Sequence, residues 1–278
     1  MKKDNHTLDL GRLTGKILIF GGVYSNFQAL SELKNIAEAN NIASSNIICT
    51  GDIVGYCAEP ENCIQLLKKW NIKSILGNVE LQLSNDEDNC GCNFEEGSRC
   101  DTFSTNWYPY AKSNISNNSL NWIKSLPKFI KFKYLNYQCF VLHGSFFNPS
   151  EFIFKSTPWV KKQENFKASS SDIIFAGHSG LPFHHSYQEK YWINAGVIGM
   201  PANDGTSSVW YLIIEEKNKQ LKIQHLNFNY DYQSTYHLMI KNGLPKEYAN
   251  TLKTGIWDNC EILPSKETNE QGKKIIGI

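Results

Sequence analysis

The hydrophobic and polar positions change period repeatedly along the chain. Lys16–Phe20, Ile47–Thr50 and Ser74–Leu76 are short apolar runs, the pattern of strands covered on both faces. Between the first two, Phe27, Leu30, Leu33 and Ala37 recur at helical spacing, and Asn26 stands where an N-cap belongs. Pro60 opens a second helical stretch through Trp70, with Cys63, Ile64 and Leu67 on one face. This βαβαβ order predicts a mainly parallel sheet with right-handed crossovers.

The periodicity stops between Asn85 and Cys100, an acidic, glycine-bearing stretch that predicts a long loop. Helical patterns return at Thr102–Ala111 and Ser119–Leu126, the second ended by Pro127. Phe129–Tyr134 and Gln138–Leu142 alternate around Asn136 as a hairpin, and Phe183–Tyr187 with Tyr191–Asn194 predicts another. A helix is expected over Trp159–Phe166 and a strand over Asp172–Ala176. Val209–Ile214 and Leu221–Leu226 alternate as strands of a second sheet, and helices follow at Asp231–Lys241 and Lys246–Leu252. The division this predicts is a polar tail over 1–15, a main domain over 16–228 that contains the 85–100 cysteine loop, and a helical extension with a charged, loose end over 229–278.

With 41% hydrophobic and 20% charged residues, the 278-residue chain can bury a large core. Lys+Arg 28 against Asp+Glu 27 leaves a net charge of +1, which argues against nucleic-acid binding driven by bulk charge. No apolar run approaches the roughly 20 residues that span a bilayer, and Met1–Leu13 has no signal-peptide core. A cytoplasmic, non-membrane protein is expected, in which the eight cysteines are thiols or ligands rather than a disulfide framework.

Five turns each follow an apolar run and carry glycine, four of them beside a residue of metal-ligand type. They are Phe20-Gly21-Gly22, Thr50-Gly51-Asp52, Leu76-Gly77-Asn78, Leu142-His143-Gly144 and Ala176-Gly177-His178. In α/β sheets chemistry collects at such carboxyl-end turns. Asp52, Asn78, His143 and His178 supply a carboxylate, an amide oxygen and two imidazoles. That mixed set suits one divalent transition ion, Mn, Fe, Zn or Ni, with positions left for water.

These blocks resemble the calcineurin-like metallophosphoesterases, closest to the small bacterial phosphodiesterase-like branch. Gly51-Asp52 matches the family's Gly-Asp block, Gly77-Asn78 the start of its Gly-Asn-His block, and His143-Gly144 and Gly177-His178 its two histidine blocks. Asn194-Ala195-Gly196-Val197-Ile198-Gly199-Met200-Pro201 resembles its Asn-Pro-Gly-Ser-x-Gly-x-Pro block. The resemblance implies an α/β, four-layer αββα sandwich of two mixed sheets flanked by helices. It also implies that Asp52, Asn78, His143 and His178 keep the second metal half-site of a two-metal centre. The first half-site is degenerate. Gly22 and Tyr24 stand at the family's Asp-x-His positions, Gly180 at its last histidine, and Val79 at the histidine that assists the leaving group. Glycine at 22 and 180 is expected to leave space beside the retained ligands. Tyr24 and Glu80 are further candidates for catalysis, each also readable as a packing tyrosine and a strand-end carboxylate.

Cys57, Cys90, Cys92 and Cys100 fall near Asp52 and Asn78 in sequence and are expected to gather at the vacant half-site, holding a second, softer ion or acting as thiols. Their spacing fits no standard zinc module. His184 and His185 are neighbours on a strand, so at most one faces a metal. Trp107, Tyr108, Tyr110, Phe146, Phe147 and Trp159 border the site in sequence; if they line it, a nucleotide or aromatic ligand becomes plausible. Three functions stay open: a phosphoester hydrolase running on one retained half-site with a small phosphoester or nucleotide as substrate, a rewired metal or thiol enzyme using the cysteine loop, and a metal-binding interaction module without catalysis.

Overall fold

The computed structural model describes residues 7–92, 94–276 and 278. Residues 1–6 of the expected tail lie outside the described residues. In chain order the elements are β1 Thr7–Arg12, β2 Ile17–Phe20, α1 Phe27–Ala39, β3 Ile47–Cys49, α2 Pro60–Trp70, β4 Lys73–Ser74 and α3 Asn78–Asn85. There follow α4 Arg99–Ser113, α5 Asn117–Ser125, β5 Phe129–Tyr134, β6 Tyr137–Val141, α6 Trp159–Ser169 and β7 Ile173–Ala176. The chain continues with β8 Pro182–Tyr187, β9 Lys190–Ala195, β10 Val209–Lys217, β11 Gln220–Phe228, α7 Tyr232–Lys241, α8 Lys246–Thr254 and α9 Ser265–Thr268.

Two mixed sheets stack between helices, the αββα arrangement expected. One has the order β11-β10-β2-β3-β4 and the other β1-β5-β6-β7-β9-β8. The side-chain period of a strand explains the layering. Ile17 and Ile19 of β2 point into the core between the sheets, where they meet Ile130, Phe132, Ile173 and Phe175. Leu18 and Phe20 point the other way, into a core with Leu30 and Leu33 of α1 and Ile64 and Leu67 of α2. Ile174 and Trp192 on the far face of the second sheet pack on Phe166 of α6. Each such fully buried aliphatic side chain stabilises the fold by about 1.5–3 kcal/mol. Asn26 caps α1 by accepting from the Ala29 amide.

Four local expectations change. Thr7–Arg12 is not a tail but an edge strand, paired parallel with β5 from Thr7↔Phe129. Its Leu8 and Leu10 pack on the core between the sheets. The strand expected over Ser74–Leu76 is only Lys73–Ser74; Leu76 leaves the ladder and its amide donates to the Pro127 carbonyl at 2.9 Å. β10 and β11 do not begin the second sheet: β10 joins β2 antiparallel, with Leu212 opposite Ile19. The end of the chain is anchored, not loose. Ser156 donates to the Glu267 carboxylate at 2.6 Å, and the Gly272 amide to Asn203 O at 2.8 Å. Among the described residues no helix is long and apolar enough to cross a membrane.

Candidate metal centre

The turns after β3, β6 and β7 and the start of α3 meet at one edge of the sandwich. Asp52 follows β3, Asn78 is the first residue of α3, His143 follows β6 and His178 follows β7. Close approach needs the glycines. A Cβ on Gly77 would stand 2.2 Å from Asp52 Oδ1, and one on Gly177 would stand 2.7 Å from Thr50 Oγ1 and 3.1 Å from His143 Nδ1. Asp52 (φ +55°) and His178 (φ +61°) both hold the left-handed backbone conformation, strain of the kind that collects at functional sites.

His143 lies at the middle. Its Nδ1 is 2.6 Å from the Thr50 carbonyl oxygen. Its Nε2 is 3.1 Å from Asp52 Oδ2 and 3.1 Å from Asn78 Oδ1. The candidate ligand atoms of Asp52, His143 and His178 all lie within 4.8 Å of one another, and all three residues are buried. Burial opposes charge on Asp52, but the adjacent His143 holds its carboxyl below the ordinary range. Burial likewise opposes charge on His143, and Asp52 outweighs it and raises the imidazole. Burial, then the charge of His143, pushes His178 down to about 3, so that ring is neutral and its nitrogens are free to ligate. Asp52 Oδ1 and both His178 nitrogens are buried with no well-formed hydrogen bond.

Glu80 does not sit at a strand end; it is buried in the first turn of α3. Its carboxylate accepts from the amides of Asp52 (2.8 Å), Gly77 (2.9 Å) and Val54 (3.0 Å). It ties the Asp52 turn to the Asn78 turn and does not reach into the site. Burial and the nearby Asp52 charge push it up to about 7, against the Val54 and Gly77 donors.

Beside Asp52 and His178 lies a cavity of about 80 Å³, bounded by Tyr24, Val79, Phe152, Val197, Tyr248 and Trp257 among others. The space expected at Gly22 is filled: a Cβ there would meet Val197 Cγ1 at 2.5 Å and Tyr24 Cζ at 2.7 Å. At Gly180 the neighbour is Trp257, 3.3 Å from the Cβ position. Trp257 is fixed by its indole N–H, which donates to the Pro201 carbonyl at 2.8 Å.

The four cysteines do not act as one group. Cys57 is buried away from the cavity wall, its Sγ 4.0 Å from the Gly199 carbonyl oxygen, and burial pushes its thiol up. Cys92 and Cys100 line the cavity, Cys100 from the first turn of α4 rather than from the loop. Cys90 is hydrogen-bonded to Cys92, which holds Cys90 below and Cys92 above the usual thiol range. Among the described residues the metal-capable cluster of histidines, cysteines and carboxylates is Asp52, His143 and His178, with no cysteine in it. His185 bonds Lys162 Nζ at 2.9 Å and His184 stacks on His225, so neither enters the site.

None of the six aromatics singled out from the sequence lines the cavity; Trp107, for instance, packs on Tyr56. The aromatic that touches a ligand candidate is Phe152, stacked on the His178 ring at 4.2 Å. Its place in the Phe152-Ile153-Phe154 run gave no periodic signal. Tyr248 and Trp257 reach the site from far along the chain, which no local pattern reveals.

A family model described as the calcineurin-like phosphoesterase superfamily domain matches residues 16–219. An uncharacterized protein of Methanocaldococcus jannaschii is 28% identical over 254 residues, covering 86% of this chain and 98% of that protein. The crystal structure of a metallophosphoesterase from Sphaerobacter thermophilus superposes with a TM-score of 0.68 at 23% identity, covering 88% of this chain and 100% of the other. A hypothetical protein from Pyrococcus horikoshii OT3 gives a TM-score of 0.70 at 17% identity, covering 87% and 99%. These two structural likenesses show the fold.

Proposed function

Because the chain belongs to the calcineurin-like phosphoesterase superfamily, we propose that it is a metal-dependent phosphoester hydrolase working on one divalent ion held by Asp52, Asn78, His143 and His178. One observation carries the reading. Asp52 Oδ1 and the His178 nitrogens are buried with no well-formed hydrogen bond, and one ligand atom from each of Asp52, His143 and His178 lies within 4.8 Å of the others. A buried polar atom left unpaired costs about 1–3 kcal/mol, so a fold that keeps such atoms of Asp52 and His178 together is built around an occupant. A carboxylate and neutral imidazoles are the donor set of a divalent transition ion. Bound there, such an ion supplies acidification of a water and polarisation of a phosphoryl oxygen.

The chain's own residues do the rest. Thr50 O accepts from His143 Nδ1 and so turns Nε2 toward the site. Glu80 fixes the Asp52 and Gly77 backbones relative to each other. Phe152 covers one face of His178 and keeps water from it. Val79, which lines the cavity, brings no proton to a leaving group, so substrates with a good leaving group are the ones turned over. A small phosphoester, nucleotides included, is the substrate class this reading takes, with no membrane surface or bulk nucleic acid as partner.

The test is hydrolysis of aryl phosphodiesters and aryl phosphomonoesters by protein loaded with Mn, Fe, Zn or Ni. Turnover that disappears in both Asp52→Asn and His178→Ala supports the reading. Tyr24 and Val197 filling the space at Gly22 favour a second reading, a metal-binding module without turnover. Stoichiometric ion binding with no hydrolysis of any diester or monoester would select it.

A further inference from the structure

This inference rests on the one-ion reading and concerns what meets the substrate opposite the ion. We propose that Tyr24 is a substrate-touching residue whose hydroxyl donates a hydrogen bond to a phosphoryl oxygen held in the cavity beside Asp52 and His178.

Tyr24 stands in a seat made for it. Cβ atoms on Gly22, Gly55 and Gly199 would lie 2.7 Å from its Cζ, 3.2 Å from its Cδ1 and 2.6 Å from its Cβ. Any side chain at 22 or 199 displaces the ring. Its backbone holds φ +50°, a conformation a bulky residue rarely adopts. That conformation is locked from both sides: the Tyr24 amide donates to the Asp52 carbonyl at 3.1 Å, and the Cys57 amide donates to the Tyr24 carbonyl at 3.0 Å. The ring packs edge to face on Tyr56, with centroids 4.6 Å apart. Three glycines and a strained backbone thus present one phenol to the edge of the metal centre.

That phenol is spare. Tyr24 is 7% exposed and lines the same cavity as Asp52 and His178, and its hydroxyl takes part in none of the side-chain hydrogen bonds that tie the surrounding turns together. A buried tyrosine hydroxyl ordinarily finds a partner. Among the described residues the cavity wall carries no lysine or arginine. An anionic phosphoryl group entering it is left to neutral donors, and among those on the wall Tyr24 is the one whose backbone is tied to the Asp52 turn. An ordinary phenol, with a pKa near 10, carries its proton at neutral pH and needs none transferred for this task.

The experiment compares Tyr24→Phe with wild type and with Tyr56→Phe, a second tyrosine of the cavity wall. The readouts are ion content, thermal midpoint, and affinity of the Mn-loaded protein for inorganic phosphate by calorimetry. Tyr24→Phe keeps the ring and is expected to keep both ion content and thermal midpoint. Its phosphate affinity should fall about ten- to a hundredfold, the loss of one hydrogen bond to a charged group, while Tyr56→Phe stays near wild type. Unchanged phosphate affinity in Tyr24→Phe overturns the proposal. Lost ion content in Tyr24→Phe overturns it too, since the hydroxyl would then serve the ion. Wild type that binds Mn but no phosphate overturns this inference alone. Wild type that binds no ion overturns the one-ion reading and the inference with it.

Discussion

The Cys90 carbonyl and the Cys92 thiol together turn the amide of Asn78. The Asn78 Nδ2 lies 3.2 Å from Cys92 Sγ and 2.9 Å from the Cys90 carbonyl oxygen. A carbonyl only accepts, so the nitrogen must face the loop and Oδ1 must face His143. The cysteine loop thereby orients a ligand candidate from behind rather than supplying one. Supporting partners of this kind typically change metal affinity by 10–100-fold. Cys92→Ala, which leaves the Cys90 carbonyl bond in place, should weaken Mn binding by about tenfold, and Asn78→Ala should weaken it further. Calorimetric titration with Mn checks both; a Cys92→Ala protein with wild-type affinity would show that the carbonyl alone sets the amide.

Gly22 cannot be returned to a carboxylate. Its φ of +42° and the 2.5 Å approach of a Cβ to Val197 Cγ1 mean that Gly22→Asp strains the backbone and overpacks the Tyr24 seat. A loss of about 2–5 kcal/mol is expected from the two effects together, read as a lower urea midpoint at constant slope. Val79→His, by contrast, places its ring in existing space and should fold. It is expected to leave ion content at one per chain and not to give brisk diester hydrolysis, because Tyr24 and Val197 still occupy the first-ion direction. A second equivalent of ion bound by Val79→His would contradict this.

The convergence of Asp52, Asn78, His143 and His178 was legible in the sequence because each sits beside a glycine in a turn that follows an apolar run, a local pattern with a local cause. Asp52 and His143 need those glycines for approach, so the chemistry and its punctuation appear together. The vacancy at Gly22 was misread for the converse reason. A missing side chain leaves room only if nothing else fills it, and Tyr24 two residues on does so by a backbone conformation the sequence does not display. α3 was hidden because it starts on Gly77, which offers no capping side chain; Glu80 caps it from inside the helix instead. The cavity's far wall, Tyr248 and Trp257, depends on the C-terminal segment folding back over Gly180, a contact between distant positions.

His225 gives the fold an acid-labile point away from the centre. Its Nε2 is 2.9 Å from the Asn194 carbonyl oxygen, and burial, with the nearby His184 adding to it, pushes it down to about 4. The unfolded chain therefore binds a proton between pH 6.5 and 4 that the folded chain does not, and stability falls as pH drops through that window. The loss reaches at most about 3 kcal/mol. His225→Asn should flatten this part of the profile, measured by urea unfolding at pH 7 and pH 4.5. An unaltered pH slope would assign it to other groups.

In the proposed centre one ion is held by Asp52, Asn78, His143 and His178. Metal analysis of the purified protein after loading with Mn and removal of excess ion tests it most directly. The account predicts one equivalent per chain, retained in Cys57→Ser and in a Cys90→Ser/Cys100→Ser double variant, and lost in Asp52→Asn and in His178→Ala. Two equivalents per chain in the wild type, or one that survives both the Asp52 and His178 changes, would contradict it.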